Sequence, residues 1–183
     1  MQILTSIDEL AEIPGPVCVA IGVFDGVHLG HQALIHRVIA EAKAVQGTAV
    51  VLTFDPHPAK ILRPDQAPRL LTSTAHKERL IAALDCPVLL MVKFDAAFAA
   101  QSPTAFIEAL ARPENSLRCL CVGHRWAFGR GRTGNVDLLR TLGTIHGFST
   151  VEIDPVCAGG ETISSTRIRR AIEQGDFSVA REL

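Results

Sequence analysis

The 183-residue sequence contains no apolar run approaching the roughly 20 residues that a membrane span requires, which excludes a transmembrane helix as its organising element. Its opening stretch, MQILTSIDELAEIPG, lacks the basic start and continuous apolar core of a secretory signal, so the expected location is the cytoplasm. Net charge is scarce as well. With 18 Lys and Arg against 19 Asp and Glu, the formal charge is −1. Without clustered cations, nucleic acid is excluded as the main partner, because non-specific phosphate binding rests on many of them. Small anions remain open as ligands. The five cysteines (Cys18, Cys86, Cys119, Cys121, Cys157) are odd in number and include no C-x-x-C pair. Several fall in apolar, strand-like runs, where a thiol packs as a small hydrophobe. There is no internal repeat and no linker, and 48% hydrophobic with 20% charged residues is a globular composition, so one domain over residues 1–183 is expected.

What the chain does have is alternation. Apolar β-branched runs (VCVAIGVF, TAVVLTF, VLLMVKF, LRCLCVG, STVEIDPV) are separated by helical patterns (QALIHRVIAEAKAV, HKERLIAAL, PTAFIEAL, VDLLRTLG, STRIRRAIEQ). Such alternation predicts an α/β protein, a doubly wound parallel sheet of about five strands with helices on both faces. In the first helix Leu34, Ile35, Val38, Ile39, Ala42 and Val45 recur with a 3.6-residue period, and Gly47 is read as its stop. Ser102-Pro103 reads as a capped helix start. The proline-rich segment FDPHPAKILRPDQAPRLLTST reads as a long connection of the kind that is usually functional or mobile.

Ligands of open parallel sheets bind outside the carboxyl ends of the strands, and FDGVHLGH (Phe24 to His31) lies at such an end. Gly22, Gly26 and Gly30 permit a sharp turn and close backbone approach. A helix starting near Gly30 or His31 presents unpaired N–H groups and a positive dipole end. His28 and His31 add ring donors and become cationic if a phosphate raises their pKa values, so the segment reads as a polyphosphate site. A zinc pair is disfavoured, since H-E-x-x-H is absent and no third ligand stands at a familiar spacing.

Near the other end, TISSTRIRRAI reads as a hydroxyl-rich turn before a basic helix. Ser164, Ser165 and Thr166 can cap the first turn or bind an anion there, while Arg167, Arg169 and Arg170 oppose the helix dipole, a conflict that a bound polyanion removes. Gly129 to Gly134 spells GRGRTG, a formal G-x-G-x-x-G with Glu152 and Asp154 downstream. HRWAF intervenes between strand and glycines, however, so the segment reads as a mobile basic loop over the site and not as a dinucleotide fingerprint.

Taken together, GVFDGVHLGHQALI, TFDPHP, KFDAAFAAQSPTAFIEAL, VGHRWAFGRGRTGN and ISSTRIRRAIEQGDFSVA resemble, in order and over nearly the whole chain, the FMN adenylyltransferase (FAD synthetase) module of the bacterial bifunctional riboflavin kinase/FAD synthetases, within the H-x-G-H nucleotidyltransferases. The resemblance implies a Rossmann-like (HUP-type) fold and transfer of AMP from ATP, accompanied by Mg²⁺, to FMN. On that likeness His28, His31, Ser165, Thr166 and Arg169 are the catalytic set. Gly22, Phe24, Asp25, Gly26, Gly30, Gly123, Ser164 and Arg167 bind ATP, and Phe54, Asp55, Pro56, Pro58, Arg125 and Phe128 lie beside the flavin. No protein metal ligand is implied, and neither nucleic acid nor membrane is an expected partner. No covalent intermediate or catalytic base is needed, because an FMN phosphate oxygen is already a nucleophile.

The chain departs from the family pattern twice. Arg125 stands where an amide or acidic residue is usual, and the chain ends at Leu183, so the expectation is an adenylyltransferase unit without a riboflavin kinase module, fused to or cooperating with one. The alternatives are a nucleotidyltransferase acting on another phosphorylated acceptor, or using CTP, and a flavin- or nucleotide-binding module impaired in catalysis.

Overall fold

The computed structural model describes every residue of the chain except Arg125. Six parallel strands form one sheet in the order β1-β4-β3-β2-β5-β6: β1 (Gln2–Leu4), β2 (Val17–Ile21), β3 (Thr48–Asp55), β4 (Val88–Lys93), β5 (Leu117–Gly123) and β6 (Ser149–Ile153). The helices are α1 (Leu29–Ala44), α2 (Pro58–Leu62), α3 (Thr74–Ala82), α4 (Ala96–Ala99), α5 (Pro103–Leu110), α6 (Val136–His146), α7 (Ser165–Glu173) and α8 (Phe177–Glu182). A small antiparallel hairpin, β7 (Cys157–Ala158) with β8 (Glu161–Thr162), precedes α7. The expected Rossmann-like doubly wound sheet is present. It gains β1 at one edge, a strand of only three residues and too short to show a period.

Strand residues alternate between two cores, because successive side chains point to opposite faces. Val17, Val19, Ile21, Val50, Leu52, Leu90, Leu120 and Val122 pack towards α5 and α6, which supply Phe106, Ile107, Leu110, Leu139 and Leu142. Cys18, Ala20, Ala49, Val51, Leu89, Cys119 and Cys121 pack towards α1 and α3, which supply Leu34, Ile35, Val38 and Ile81. Small side chains on this second face let the long α1 lie close to the sheet. Cys18, Cys86, Cys119 and Cys121 are buried free thiols, and Cys157 is exposed on the hairpin.

Several local expectations change. Helix α1 starts at Leu29, earlier than Gly30 or His31, because His28 is its N-cap: Nδ1 accepts the His31 N–H at 3.3 Å. Of its expected apolar stripe, Val45 is exposed. The helix stop does not use Gly47 for its freedom of φ. Gln46 takes the left-handed conformation (φ 54), with Gln46 N–H bonded to Lys43 O and Gly47 N–H to Ala42 O, a Schellman arrangement. Gly47 is needed for space, since a Cβ there would lie 2.1 Å from the Pro16 carbonyl oxygen. The proline-rich connection carries α2, capped by His57 with Pro58 in its first turn, and a 3-10 turn over Pro64–Gln66. Ser102 caps α5 as expected, its Oγ accepting the Ala105 N–H at 3.1 Å.

Strands β2, β3 and β4 progress to one side, and β5 and β6 are laid on the other side of β2. The chain reversal therefore falls between β2 and β5. Their carboxyl ends flank the crevice where this class of sheet places its ligands.

Candidate active site

The H-x-G-H turn leaves β2 at this reversal under backbone strain. Phe24 (φ 52) and the β-branched Val27 (φ 42) both have positive φ, a conformation that persists only where surroundings enforce it. Gly26 (φ 87) supplies the same conformation at no steric cost, and its N–H donates to Thr72 Oγ1 at 3.2 Å.

Asp25 is what enforces the turn. Its buried carboxylate accepts the Leu71 N–H (3.0 Å), the Thr72 N–H (3.0 Å) and the Thr72 hydroxyl (3.2 Å), and it pairs with the Arg169 guanidinium. One side chain thus joins three segments: the turn after β2, the end of the proline-rich connection, and α7. The Ser165 hydroxyl donates to the Asp25 carbonyl at 2.8 Å, the Leu29 N–H donates to Leu183 O at 2.8 Å, and a Cβ on Gly30 would lie 3.8 Å from Ile163 O. The starts of α1 and α7 are therefore neighbours.

The histidine rings are stacked, with centroids 3.6 Å apart and planes at 15°. His28 Nδ1 is an acceptor, so Nε2 carries the proton and is the ring's donor. Burial pushes His28 down from 6.5 to about 4, outweighing the bond of its own backbone and the charge of Asp25. His31 is pushed well below 6.5 by burial and then by His28 and Lys77, and its Nδ1 is buried without a partner among the described residues. Both rings are neutral donors at physiological pH in the unliganded protein, not the cations that phosphate contact alone would favour. Stability follows with a definite sign. An unfolded imidazole takes up its proton near 6.5 but folded His28 only near 4, so melting temperature should fall as pH drops from 6.5 to 4 and be insensitive to these groups above 6.5. Thermal melts across that window check this.

At α7 the side chains of Ser164, Ser165, Arg167 and Arg169 are already partnered. Ser164 Oγ caps the helix by accepting the Arg167 N–H at 3.2 Å. Arg167 donates to Ala158 O and Glu161 O, each at 2.9 Å, and pairs with Glu161, fastening the β7–β8 hairpin to the helix. Arg169 also donates from Nε to Arg69 O at 2.7 Å. The conflict of these arginines with the helix dipole is thus relieved by protein acceptors, while Arg170 is exposed. At the first turns, the N–H groups of Gly30, Ser165 and Thr166 have no partner among the described residues. Unpartnered N–H groups at helix starts are the kind of donor that can bind an anion.

Gly123 ends β5, and a Cβ there would enter open space. No packing demands glycine, so Gly123→Val should leave the melting temperature unchanged; on the expectation that Gly123 faces bound nucleotide, it should also raise the KM for ATP about ten-fold. Steady-state kinetics beside a melt checks both halves.

Beside the crevice runs an aromatic chain, Phe54–Phe94–Phe98–Phe106–Phe128–Trp126, with neighbouring centroids between 4.3 and 6.3 Å. Phe54 and Phe128 are buried members of it, Trp126 is half-buried and stacked on Phe128, Asp55 is exposed, and Pro56 and Pro58 are half-buried. Arg125 lies outside the described residues. Two of the GRGRTG glycines have packing reasons of their own: a Cβ on Gly129 or Gly134 would strike Pro103 at 2.5 or 2.8 Å. The Arg130 N–H bonds Gln101 O at 2.8 Å, so the segment's backbone is docked on the start of α5. Glu152 binds His124 and Arg140.

Two residues escaped the sequence reading. His57 caps α2, accepting the Ala59 N–H at 3.1 Å, and burial lowers its pKa. Lys77 is buried, donating from Nζ to Val23 O and Thr53 Oγ1 (3.2 Å each) and Phe54 O (3.5 Å). The sequence did carry a signal for it. Lys77 stands three residues before Leu80 and four before Ile81, a charge on the apolar stripe of α3.

A Rossmann-like sheet whose reversal crevice is rimmed by an H-x-G-H helix start and a second hydroxyl-rich helix start defines a nucleotide-handling protein of the nucleotidyltransferase kind. A family profile described as FAD synthetase matches residues 10–167. The chain is 35% identical to the bifunctional riboflavin kinase/FMN adenylyltransferase of Escherichia coli (strain K12), over 100% of this chain and 59% of that one. It is 38% identical to a relative from Geobacillus thermodenitrificans named for the same two activities, over 90% of this chain and 87% of the relative. The chain belongs to the FAD synthetase family. It spans 59% of the length of the Escherichia coli relative. A crystal structure described as a macrolide-efflux protein from Streptococcus pneumoniae matches with a TM-score of 0.80 at 24% identity, over 100% of this chain and 60% of that one, a likeness of fold alone. Among the described residues, no helix is long and apolar enough to cross a membrane.

Proposed function

We propose that this chain is an FMN adenylyltransferase, transferring AMP from ATP to FMN to give FAD and pyrophosphate. The observation that carries the reading is the adjacency of the α1 and α7 starts through Asp25 and Ser165, in a chain of the FAD synthetase family.

An FMN phosphate oxygen attacks the α-phosphorus of ATP in line, the bond from that phosphorus to the bridging oxygen breaks, and pyrophosphate leaves. The protein's work is to align two anions and disperse the charge of the leaving group. His28 Nε2–H, the His31 ring and the Gly30 N–H face the phosphates from α1. The Ser165 and Thr166 N–H groups and the Thr166 hydroxyl face the β- and γ-phosphates from α7. Ser165 has a single hydroxyl proton, now on Asp25 O, so it serves a phosphate as donor only by releasing that bond. Arg169 contributes the guanidinium N–H groups left over from Asp25 and Arg69, and Arg167 acts through the hairpin it holds. Gly22, Phe24, Asp25, Gly26 and Gly123 shape the nucleotide side. Asp55, Pro56 and Pro58 line the flavin side, backed by Phe54 and Phe128, with Arg125 nearby in sequence.

No group of three or more potential metal ligands occurs among the described residues, and the Asp25 carboxylate is occupied by Arg169 and N–H donors. Mg²⁺ would be carried in on ATP, where it would neutralise phosphate charge. The 183 residues act as one nucleotidyltransferase unit at a cytoplasmic source of ATP, and the relatives' names suggest cooperation with a riboflavin kinase.

Incubation with ATP, Mg²⁺ and FMN, followed by chromatography, should yield FAD with stoichiometric pyrophosphate. Pyrophosphate release with a different phosphorylated acceptor but not with FMN overturns the choice of acceptor. Binding of FMN or ATP without turnover, cured by Arg125→Asn, assigns the chain to the impaired class.

A further inference from the structure

We propose that Lys77 is a positioning residue that sets the H-x-G-H turn from behind, by drawing the carbonyls of Val23 and Phe54, at the ends of two adjacent strands, onto one buried ammonium group. The inference rests on the polyphosphate-binding reading of the crevice.

An ammonium group has three N–H donors, and removing it from water is tolerated only when they are used. Lys77 directs them to Val23 O, Thr53 Oγ1 and Phe54 O, while Thr53 Oγ1 itself donates to Val23 O at 2.9 Å. The Val23 carbonyl is thus gripped by two donors directly before Phe24, the first strained residue of the turn. A packing role alone would suit leucine or methionine on the α3 stripe, without the desolvation penalty. Two further consequences favour the lysine. Carbonyl oxygens at strand carboxyl ends repel a polyphosphate, and these two are turned towards the ammonium instead. The charge itself also reaches the site.

The charges that act on it are Asp55, Asp25 and Glu78, which favour the ammonium; it acts in turn on His31, beside His28, and on His57, beside Asp25, Arg169 and Lys60. Lys77 is named among the causes that hold His31 and His57 down, so its charge helps to keep these rings as neutral donors.

The test uses the full chain with Lys77→Met, Lys77→Gln and Lys77→Arg. Histidine ring resonances are followed by NMR between about pH 3 and 8, a range that takes in both ordinary and lowered imidazole titrations, and inorganic pyrophosphate binding is measured by calorimetry. In the Met and Gln variants the His31 titration should move up, because the ammonium that helps to hold it down is gone, and pyrophosphate should bind about ten-fold more weakly. Lys77→Arg, which keeps the charge, should recover most of the binding. Variants that melt earlier but keep the His31 titration and pyrophosphate affinity of the parent overturn the proposal. If neither neutral variant folds, the Lys77 ammonium resonance of the unaltered protein decides: it should shift when pyrophosphate is added, and an unmoved resonance refutes the role. These readouts need no FAD formation. Should they respond as expected in a protein that makes no FAD, the adenylyltransferase reading fails and the Lys77 inference stands.

Discussion

His28→Asn should slow FAD formation by about 10²–10³-fold, the range seen when one preorganised donor to developing charge is removed, with little loss of stability. The asparagine is chosen because His28 has two separable jobs. Its Nδ1 caps α1 by accepting the His31 N–H, and its Nε2–H is the donor left for a phosphate. An asparagine side chain retains a cap acceptor, since Asn is among the preferred N-cap residues, but does not reach as far as Nε2. His28→Ala removes both functions and should cost about 1 kcal/mol of stability from the lost cap on top of the same kinetic defect. Kinetics and urea denaturation of the pair separate the roles. Equal activity in the asparagine variant and the parent would show that His28 is a helix cap and no more.

The largest stability effect should come from Asp25→Ala, a loss of about 3–5 kcal/mol, because removing one member of a buried ion pair leaves the other charge uncompensated. Asp25 and Arg169 have side-chain exposures of 5% and 14%. The Leu71 and Thr72 N–H groups lose their acceptor at the same time. A domain's total stability is only about 5–15 kcal/mol, so this variant approaches the margin. Activity should fall with it even under conditions where the chain is folded, because α7 is then no longer tied to the turn. Asp25→Asn keeps the shape but turns an amide N–H towards existing donors, and should recover less than half of the lost stability. A melting temperature within a degree or two of the parent would contradict the central place given to Asp25.

The sheet was legible because each buried strand is a short β-branched run between amphipathic helices, a pattern set by burial and little affected by local detail. The candidate site was legible as two clusters whose residue types can all serve anions. What joins them was not. The pairing of Asp25 with Arg169 links positions 144 residues apart, and no local pattern encodes it. The α1 start was misplaced by a residue or two because an imidazole serves as the cap in place of a hydroxyl or carboxamide. Gly47 was read as a helix stop, whereas close approach to the Pro16 carbonyl accounts for it; GRGRTG was read as a mobile basic loop, whereas Gly129 and Gly134 pack against Pro103. The arginines of α7 were read as waiting for a polyanion, yet Arg167 and Arg169 are engaged by carbonyls and carboxylates that the fold brings to them. Lys77 was overlooked because charged residues are expected on solvent faces, although its position on the α3 stripe marked it.

The most direct test of the shared anion site is a backbone and histidine-ring NMR titration of the unaltered protein with inorganic pyrophosphate. The account predicts that the Gly30, Ser165 and Thr166 amides and the His28 and His31 rings shift together, with one dissociation constant. Shifts confined to one helix start, or two unrelated constants, would contradict it.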